Sequence, residues 1–312
     1  MSESITAVGS EMRSYYGRPI LKEPVWQPEI PWYLFTGGLA GASSILGLAA
    51  RATGNRPLAK AALYISMAGD AVSPALLVSD LGRPERFLNM FRVFKVTSPM
   101  SVGSWILGAS GASTTVATGL ELLDRAPRLK VVAETVSAAL GAPLSVYTAT
   151  LVSDTAIPVW HEARHELPFV FGASAAASAG AAAAAVVAPA DAGPARRLAV
   201  GGVVAENAAM LAMEARLGMV GEPYHRGEAG RYNWIAKACT IAGGALLATS
   251  ARRSRFAATA GSGLVLAGEA ALRWSVFKAG FQSARDPKYT VEPQRERASR
   301  ADAARSAPPR SA

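Results

Sequence analysis

The chain is poor in residues that hold disulfides or redox groups. It contains one cysteine, Cys239, set in an apolar run, and three histidines among 312 residues. A single cysteine excludes an internal disulfide. It also excludes an iron–sulfur cluster held by this chain alone, because such a cluster needs about four ligands. We therefore interpret Cys239 as a small buried apolar residue.

Charged side chains are also scarce. Asp, Glu, Lys and Arg make up 18% of the sequence, whereas a typical globular domain contains about 25%. The net charge is +9, and the basic residues lie mainly between and beyond the apolar stretches. This distribution suits lipid headgroups or an acidic partner. Nucleic acid would require a concentrated basic face, so we expect no nucleic-acid partner.

Eight long apolar stretches fill most of the chain instead. A membrane-spanning helix needs about 20 mostly apolar residues, and each stretch comes close to that length. The sequence therefore predicts an all-α integral membrane protein with eight transmembrane helices. The sixth stretch is the weakest because it contains Glu206, Glu214 and Arg216. The eight predicted spans are Trp32–Ala50, Leu58–Val78, Pro99–Leu123, Val131–Ser153, Leu167–Ala190, Leu198–Gly218, Trp234–Ser250 and Phe256–Phe277.

The spans divide the chain into a polar N-terminal tail of residues 1–31, a membrane domain of residues 32–280 and a polar C-terminal tail of residues 281–312. The last part of the C-terminal tail is predicted to be largely disordered, because it cannot bury enough apolar area. No apolar segment precedes Trp32, so we expect no cleavable signal peptide.

An even number of spans places both tails and the three longer loops on one side, here named the tail face. The Lys and Arg residues near the span ends slightly favour a cytoplasmic tail face.

The three histidines lie in the longer loops and none lies inside a span, which argues against a membrane haem. His161 and His165 are four residues apart and would share one side of a helix. With Glu162 they could bind a metal. The favoured interpretation is a surface cluster on the tail face that contacts a partner protein, together with Arg86 and His225.

Several motifs resemble the NrfD/PsrC family, the polysulfide-reductase-type membrane subunits. The resemblance covers about residues 30–280 and is strongest through the fourth span. It implies two four-helix bundles that bind a quinone and hold no redox centre of their own. The segments that carry it are Pro31–Gly41, Asp80–Phe87, Thr97–Trp105, Tyr147–Leu151 and Pro158–His161.

The resemblance implies a quinone pocket formed by Tyr33, Asp80 and Tyr147, with menaquinone or ubiquinone as the cofactor. Arg83 lies beside Asp80 at the membrane interface and could anchor a polar ligand head or merely orient the helix. Some relatives carry a histidine where Tyr33 stands, which leaves the proton donor open. Tyr33 could alternatively be an interfacial aromatic residue beside Trp32.

Ionisable residues inside predicted spans are costly and are therefore candidates for function. Asp70, near the middle of the second span, and Asp154, after the fourth, are candidates for a proton pathway. Glu206 and Glu269 are interpreted as structural, for example through a pair between Glu269 and Lys237.

Together these features favour the membrane anchor and quinone-reactive subunit of an oxidoreductase complex in the respiratory chain of the cell membrane. The resemblance implies a ferredoxin-like iron–sulfur subunit and a molybdopterin-type catalytic subunit as partners. No catalytic residue or metal ligand is assigned to this chain. A pure anchor and an independent transporter remain alternatives. A transporter should show interrupted helices at the midplane of both halves, whereas only Asp70 and Pro74 provide such a place.

Overall fold

The structure, a computed structural model, describes residues 20–251 and 254–306. The described residues form helices and connecting segments, without a β-strand. The long helices are α1 (Glu29–Ala52), α2 (Arg56–Ser79), α3 (Pro99–Leu122), α4 (Pro127–Ser153), α5 (Leu167–Val186), α6 (Gly193–Leu217), α7 (Gly227–Thr249), α8 (Arg255–Arg285) and α9 (Lys288–Ser306).

Helix starts follow from the local sequence. Asn55 caps α2, where its side-chain oxygen accepts a hydrogen bond from the backbone N–H of Leu58. Ser98 caps α3 in the same way, and Pro99 occupies the first turn, where a missing N–H costs nothing.

Packing joins the helices in two sets. In the first set α1 packs on α2 and α4, and α3 packs on α4 and α2. In the second set α5 packs on α6 and α8, while α7 packs mainly on α8. The two sets meet where α5 packs on α1 and α4, so α1 and α5 lie at the centre of the molecule.

Glycine allows the closest helix crossings. A Cβ atom at Gly41 in α1 would collide with the carbonyl oxygen of Gly141 in α4, and one at Gly141 would collide with Gly41. Gly180 and Gly202 allow the same close approach between α5 and α6. Small residues favour helix association where lipid gives no hydrophobic drive, so the small-residue stretches set the packing of both sets.

Five helical segments are long and apolar enough to cross a membrane by length and composition alone. Of the other long helices, α3, α7 and α8 carry Ser, Thr or charged residues that lower their hydropathy. Many of these polar side chains are buried against neighbouring helices, as Thr114, Thr240 and Glu269 are. The five segments are Glu29–Ala52, Arg56–Ser79, Pro127–Ser153, Leu167–Val186 and Gly193–His225.

The structure describes part of each tail. Residues 20–28 form an ordered strap, in which Trp26 stacks on Trp160 with ring centroids 5.3 Å apart. At the other end the structure gives α9 as a helix, and its Ala-, Arg- and Glu-rich sequence has high helix propensity. Its first residues are anchored on Glu222 by hydrogen bonds from Lys288 and Tyr289. Residues 1–19 and 307–312 of the predicted tails lie outside the described residues.

Candidate functional site

Two tyrosines from different helices meet near the tail face. Tyr33 lies in the second turn of α1 and is fully buried, whereas its neighbour Trp32 is exposed. Its hydroxyl is hydrogen-bonded to the hydroxyl of Tyr147 on α4. The ring of Tyr147 rests on α3 at Gly103, where a Cβ atom would overlap it. The exposed belt position therefore belongs to Trp32, and Tyr33 faces the protein interior.

A cavity of about 760 Å³ adjoins Tyr147 between α3, α4 and the segment that follows α4. Its volume falls in the usual range for small-molecule sites. Part of its lining is apolar, and the rest carries hydroxyl, carboxylate, imidazole and guanidinium groups. Its lining residues are Val96, Thr97, Pro99, Val102, Ile106, Pro143, Val146, Tyr147, Thr150, Ser153, Asp154, His161, Arg164 and His165.

Asp80 follows the last residue of α2, and its carboxylate is directed to the strap. Its Oδ1 accepts a hydrogen bond from the backbone N–H of Gln27 at 2.9 Å. Partial burial raises the pKa of Asp80, and the nearby Glu29 carboxylate acts in the same direction, while the bond from Gln27 opposes both. Asp80 therefore retains a proton more readily than an exposed aspartate.

The predicted proton-pathway residues lie in two places. Asp70 is buried in α2, and Ser110 of α3 lies 3.4 Å from both of its carboxylate oxygens. Ten residues separate it from Asp80, or roughly 15 Å along the helix axis. Asp154 follows the last residue of α4 and lines the cavity beside Tyr147. Of the three predicted carboxylates Asp70, Asp80 and Asp154, Asp154 lines the same cavity as Tyr147.

The other predicted residues are spread across the tail face. Arg83 and Arg86 lie exposed at the start of the short 3-10 helix Pro84–Phe91. His225 is also exposed, with Nε2 3.7 Å from Oε2 of Glu214. His161 and His165 are exposed and line the cavity. The cavity therefore unites only part of the predicted set.

The sequence left open a metal site formed by His161, Glu162 and His165 in the loop after α4. Glu162 lies 3.3 Å from the guanidinium of Arg297 on α9 and so forms an ion pair there. Among the described residues, no group of three His, Cys, Asp or Glu side chains could hold a metal ion.

Arg164, Thr150 and Ser153 were not selected from the sequence, although all three line the cavity. Arg164 lies between His161 and His165 in the same loop, so its position beside two candidate residues was a usable signal in the sequence. Thr150 follows Tyr147 by three residues and therefore lies on the same side of α4. The three-residue spacing from Tyr147 was therefore the signal in the sequence that could have identified Thr150.

A second polar cluster lies in the core of α5–α8. Arg273 is 1% exposed, stacks 3.8 Å from the Phe171 ring centroid and donates to the carbonyl oxygens of Leu34 and Phe171. The carboxylates of Glu206 and Glu269 are close enough to interact with it electrostatically. Arg273 thereby ties α1 and α5 to α8.

The predicted pair between Glu269 and Lys237 is not formed. Lys237 donates to Glu214 at 2.9 Å, whereas Glu269 accepts a hydrogen bond of 2.5 Å from Ser174. The reason is geometric: Glu214 of α6 lies opposite Lys237 of α7, while Glu269 points from α8 to α5.

The bundle of long helices, five of them apolar enough to cross a membrane, defines a multi-pass membrane protein. A family model described as polysulphide reductase, NrfD, matches residues 21–284. The chain therefore belongs to the NrfD family, whose members are quinone-interacting membrane subunits of oxidoreductase complexes. No curated protein matches the chain.

Proposed function

We propose that this chain is the quinone-reactive membrane subunit of an oxidoreductase complex, and that its quinone binds in the cavity beside Tyr147. The observation that carries the proposal is the buried tyrosine pair, whose second member borders a cavity of about 760 Å³. The apolar lining residues Val102, Ile106 and Val146 suit a hydrophobic ring and tail. The polar lining residues supply hydrogen-bond donors.

A bound quinone would supply the two-electron chemistry, with two protons taken up on reduction. The Tyr147 hydroxyl donates a hydrogen bond to a carbonyl oxygen in the cavity, and Tyr33 holds that hydroxyl in place. Asp154 lines the same cavity and can pass a proton between it and the surface. Asp80, whose pKa is raised by burial, and Asp70 are further proton carriers on α2. Arg83 marks the interface beside Asp80.

Eight transmembrane spans in two four-helix bundles complete the proposed architecture. The packing of α1–α4 on one another, and of α5–α8 on one another, supports this arrangement. The quinone cavity then belongs to the first bundle and lies at its tail-face end. This face would lie on the cytoplasmic side of the cell membrane.

Electrons would pass between the quinone pool and a ferredoxin-like iron–sulfur subunit docked on the tail face, with a molybdopterin-type catalytic subunit beyond it. Exposed basic and imidazole side chains support docking there, because charged surfaces steer electron-transfer partners. The docking residues proposed are Arg86, His161, His165 and His225.

The Tyr147→Phe variant tests the proposal. It removes the hydroxyl but keeps the ring against Gly103, so the fold should persist. We expect quinone-linked turnover of the purified complex to fall by about a hundredfold, the usual scale for loss of a positioned proton donor. Activity of the catalytic subunit with an artificial dye should stay unchanged, because the dye bypasses this site.

Tyr64→Phe on α2 is the matched control, since Tyr64 lies outside the cavity lining. Equal turnover for the Tyr147→Phe variant and wild type would contradict the quinone assignment. A complex that assembles normally yet shows no quinone-linked turnover in either variant or in wild type would identify a pure anchor.

A further inference from the structure

The connection between α2 and α3 carries large apolar side chains on its surface. It consists of the short 3-10 helix Pro84–Phe91 and the residues that follow it, and residues 84–96 are here named the α2–α3 segment. Four of its large apolar side chains are more than half exposed, which marks a surface that contacts something other than water. These side chains are Leu88, Val93, Phe94 and Val96.

Aromatic contacts hold the segment against the side of α3. The ring centroids of Phe91 and Trp105 are 5.6 Å apart, and those of Phe94 and Trp105 are 6.3 Å apart. A Cβ atom at Gly108 would lie 2.8 Å from the ring of Phe91, so this ring rests on α3 where glycine leaves room for it. The segment therefore lies beside α3 rather than beyond its first residue.

The position of these contacts along α3 gives the depth of the segment. Nine residues separate Pro99, the first residue of α3, from Gly108, which corresponds to roughly 13 Å along the helix axis. The whole helix has 24 residues and is about 36 Å long, about 6 Å more than the hydrocarbon core of a bilayer. In the proposed eight-span architecture a centred α3 extends only about 3 Å beyond the hydrocarbon at each end. The ring of Phe91 then reaches the acyl region.

The segment lies at the outer edge of the molecule. The two sets of helices meet through α1, α4 and α5, whereas α3 packs on α4 and α2. Trp105, Ala112 and Val116 are exposed, and their spacings of seven and eleven residues place them on one side of α3. This exposed apolar side would face lipid in a membrane span, and the aromatic contacts join the segment to it.

Basic side chains accompany the apolar ones. Arg92 and Lys95 are exposed and alternate with Val93, Phe94 and Val96, and the segment contains a single acidic residue, Glu85. Long basic side chains can keep their charge at the phosphate level while their stems lie along apolar surface. Short amphipathic segments of this composition lie in the plane of a membrane interface and prefer anionic lipids.

We propose that the α2–α3 segment is inserted into the tail-face leaflet, with Leu88 and Phe94 in the upper acyl region and Arg92 and Lys95 at anionic phospholipid headgroups. This inference rests on the proposed crossing of the membrane by α3 and does not depend on the quinone assignment. A partner protein is the rival occupant, but the contacts place the segment beside the outer side of a span rather than above the helix ends.

A bimane label on single cysteines reports what surrounds the segment. The assembled complex in a Cys239→Ala background is placed in lipid nanodiscs and exposed to iodide, which quenches from water, or to brominated phospholipids, which quench from the acyl region. We expect brominated lipid to quench labels at Leu88→Cys and Phe94→Cys, at a depth of about 5–10 Å into the boundary of headgroups and acyl chains. The control label at Glu85→Cys should be quenched by iodide.

A comparison of brominated phosphatidylglycerol with brominated phosphatidylcholine tests the headgroup. At a low mole fraction we expect the first lipid to quench the Phe94→Cys label roughly fivefold more strongly, because a basic side chain near an anionic surface contributes about 1 kcal/mol. Arg92→Gln combined with Lys95→Gln should make the two lipids equal. Arg125→Gln, on the exposed turn between α3 and α4, is the matched control and should leave the preference unchanged.

Iodide quenching at Leu88→Cys and Phe94→Cys would overturn the proposal, and so would protection from both quenchers, which would indicate a covering partner subunit. Equal quenching by the two lipids without the charge substitutions would overturn the assignment of the headgroup. A label at Ala112→Cys, halfway along α3, separates the two levels of the argument. Quenching there by brominated lipid, with iodide quenching at Leu88→Cys and Phe94→Cys, would overturn this inference alone. Iodide quenching at Ala112→Cys would overturn the crossing by α3 as well.

Discussion

At the scale of single residues, the sequence identifies which side chains are unusual but not which partners they meet. Glu206, Glu269 and Lys237 stand out because each carries a charge within an apolar stretch. Their partners depend on how far each helix is rotated about its own axis, and nearly uniform small-residue surfaces leave that rotation undetermined from one sequence. Tyr33 and Tyr147 were predicted to lie together, and their hydroxyls are hydrogen-bonded.

Replacement of Arg273 tests the importance of the buried cluster for stability. Arg273→Met removes the cation that faces two buried carboxylates, so we expect a loss of about 3 kcal/mol or more in the free energy of unfolding. Arg273→Lys keeps the charge but loses the flat contact with Phe171, so the loss should be smaller. Unfolding in detergent with increasing dodecyl sulfate measures both effects.

The double variant Glu269→Gln with Arg273→Met, compared with Arg273→Met alone, tests whether the carboxylates left without a cation cause the loss. It removes one of the carboxylates that Arg273→Met leaves without a cation, so it should recover part of the loss. Arg231→Met on the exposed side of α7 is the control and should be nearly neutral. If Arg273→Met unfolds like wild type, the cluster does not hold α1, α5 and α8 together.

At the scale of elements, the lengths of the apolar stretches predicted the positions of the long helices well. They gave little information on the structure of the polar segments. The described residues form a helix over each of the eight predicted spans, with ends shifted by up to eight residues. The sixth stretch looked weak, yet α6 buries Glu206 and exposes Val204 and Leu211. Apolar content did not predict the strap of residues 20–28, which is held by contacts with distant residues such as Trp160 and Arg285. It also did not predict helix α9, whose sequence is polar but has high helix propensity.

The strap gives a prediction on pH dependence. Glu23 accepts two hydrogen bonds of 3.0 Å from Arg285, and these bonds lower the pKa of its carboxyl. Because the pKa is lowered, the attachment of the strap through Glu23 is fully present above the pKa of glutamate in the unfolded chain, which is about 4.3. The attachment is lost as the pH falls through the lower pKa that Glu23 has in the folded protein. A spin label at Val25, which is exposed, reports the mobility of the strap.

The label is introduced as Val25→Cys in a Cys239→Ala background. We expect the label to become more mobile below about pH 4 and, in Glu23→Gln, to be mobile already at pH 7 with little further change in acid. Glu85→Gln, an exposed glutamate on the same face, is the control. Equal spectra for Glu23→Gln and wild type at pH 7 would show that Arg285 does not hold the strap.

At the scale of the whole molecule, the tail face carries the cavity, the strap and the start of α9, while the opposite face carries the short turns. The alternation of long and short loops already predicted this asymmetry from the sequence. The sequence does not show which residues of the tail face share one cavity. Several helices end at that face, and the distances between their ends depend on how the helices pack. Asp154 reaches the cavity beside Tyr147, whereas Asp80 turns to Gln27.

Accessibility of single cysteines tests the proposed topology. Glu85 lies on the tail face and Arg125 on the opposite turn between α3 and α4, and both are exposed. In a Cys239→Ala background, a membrane-impermeant maleimide should label Arg125→Cys in intact cells, because the proposed cytoplasmic tail face places that turn outside. Glu85→Cys should be labelled only in inverted vesicles, and both should react in detergent. Labelling of both from one side would contradict the crossing of the membrane by α3, and labelling with the sides exchanged would place the tail face, with its docking residues, outside the cytoplasm.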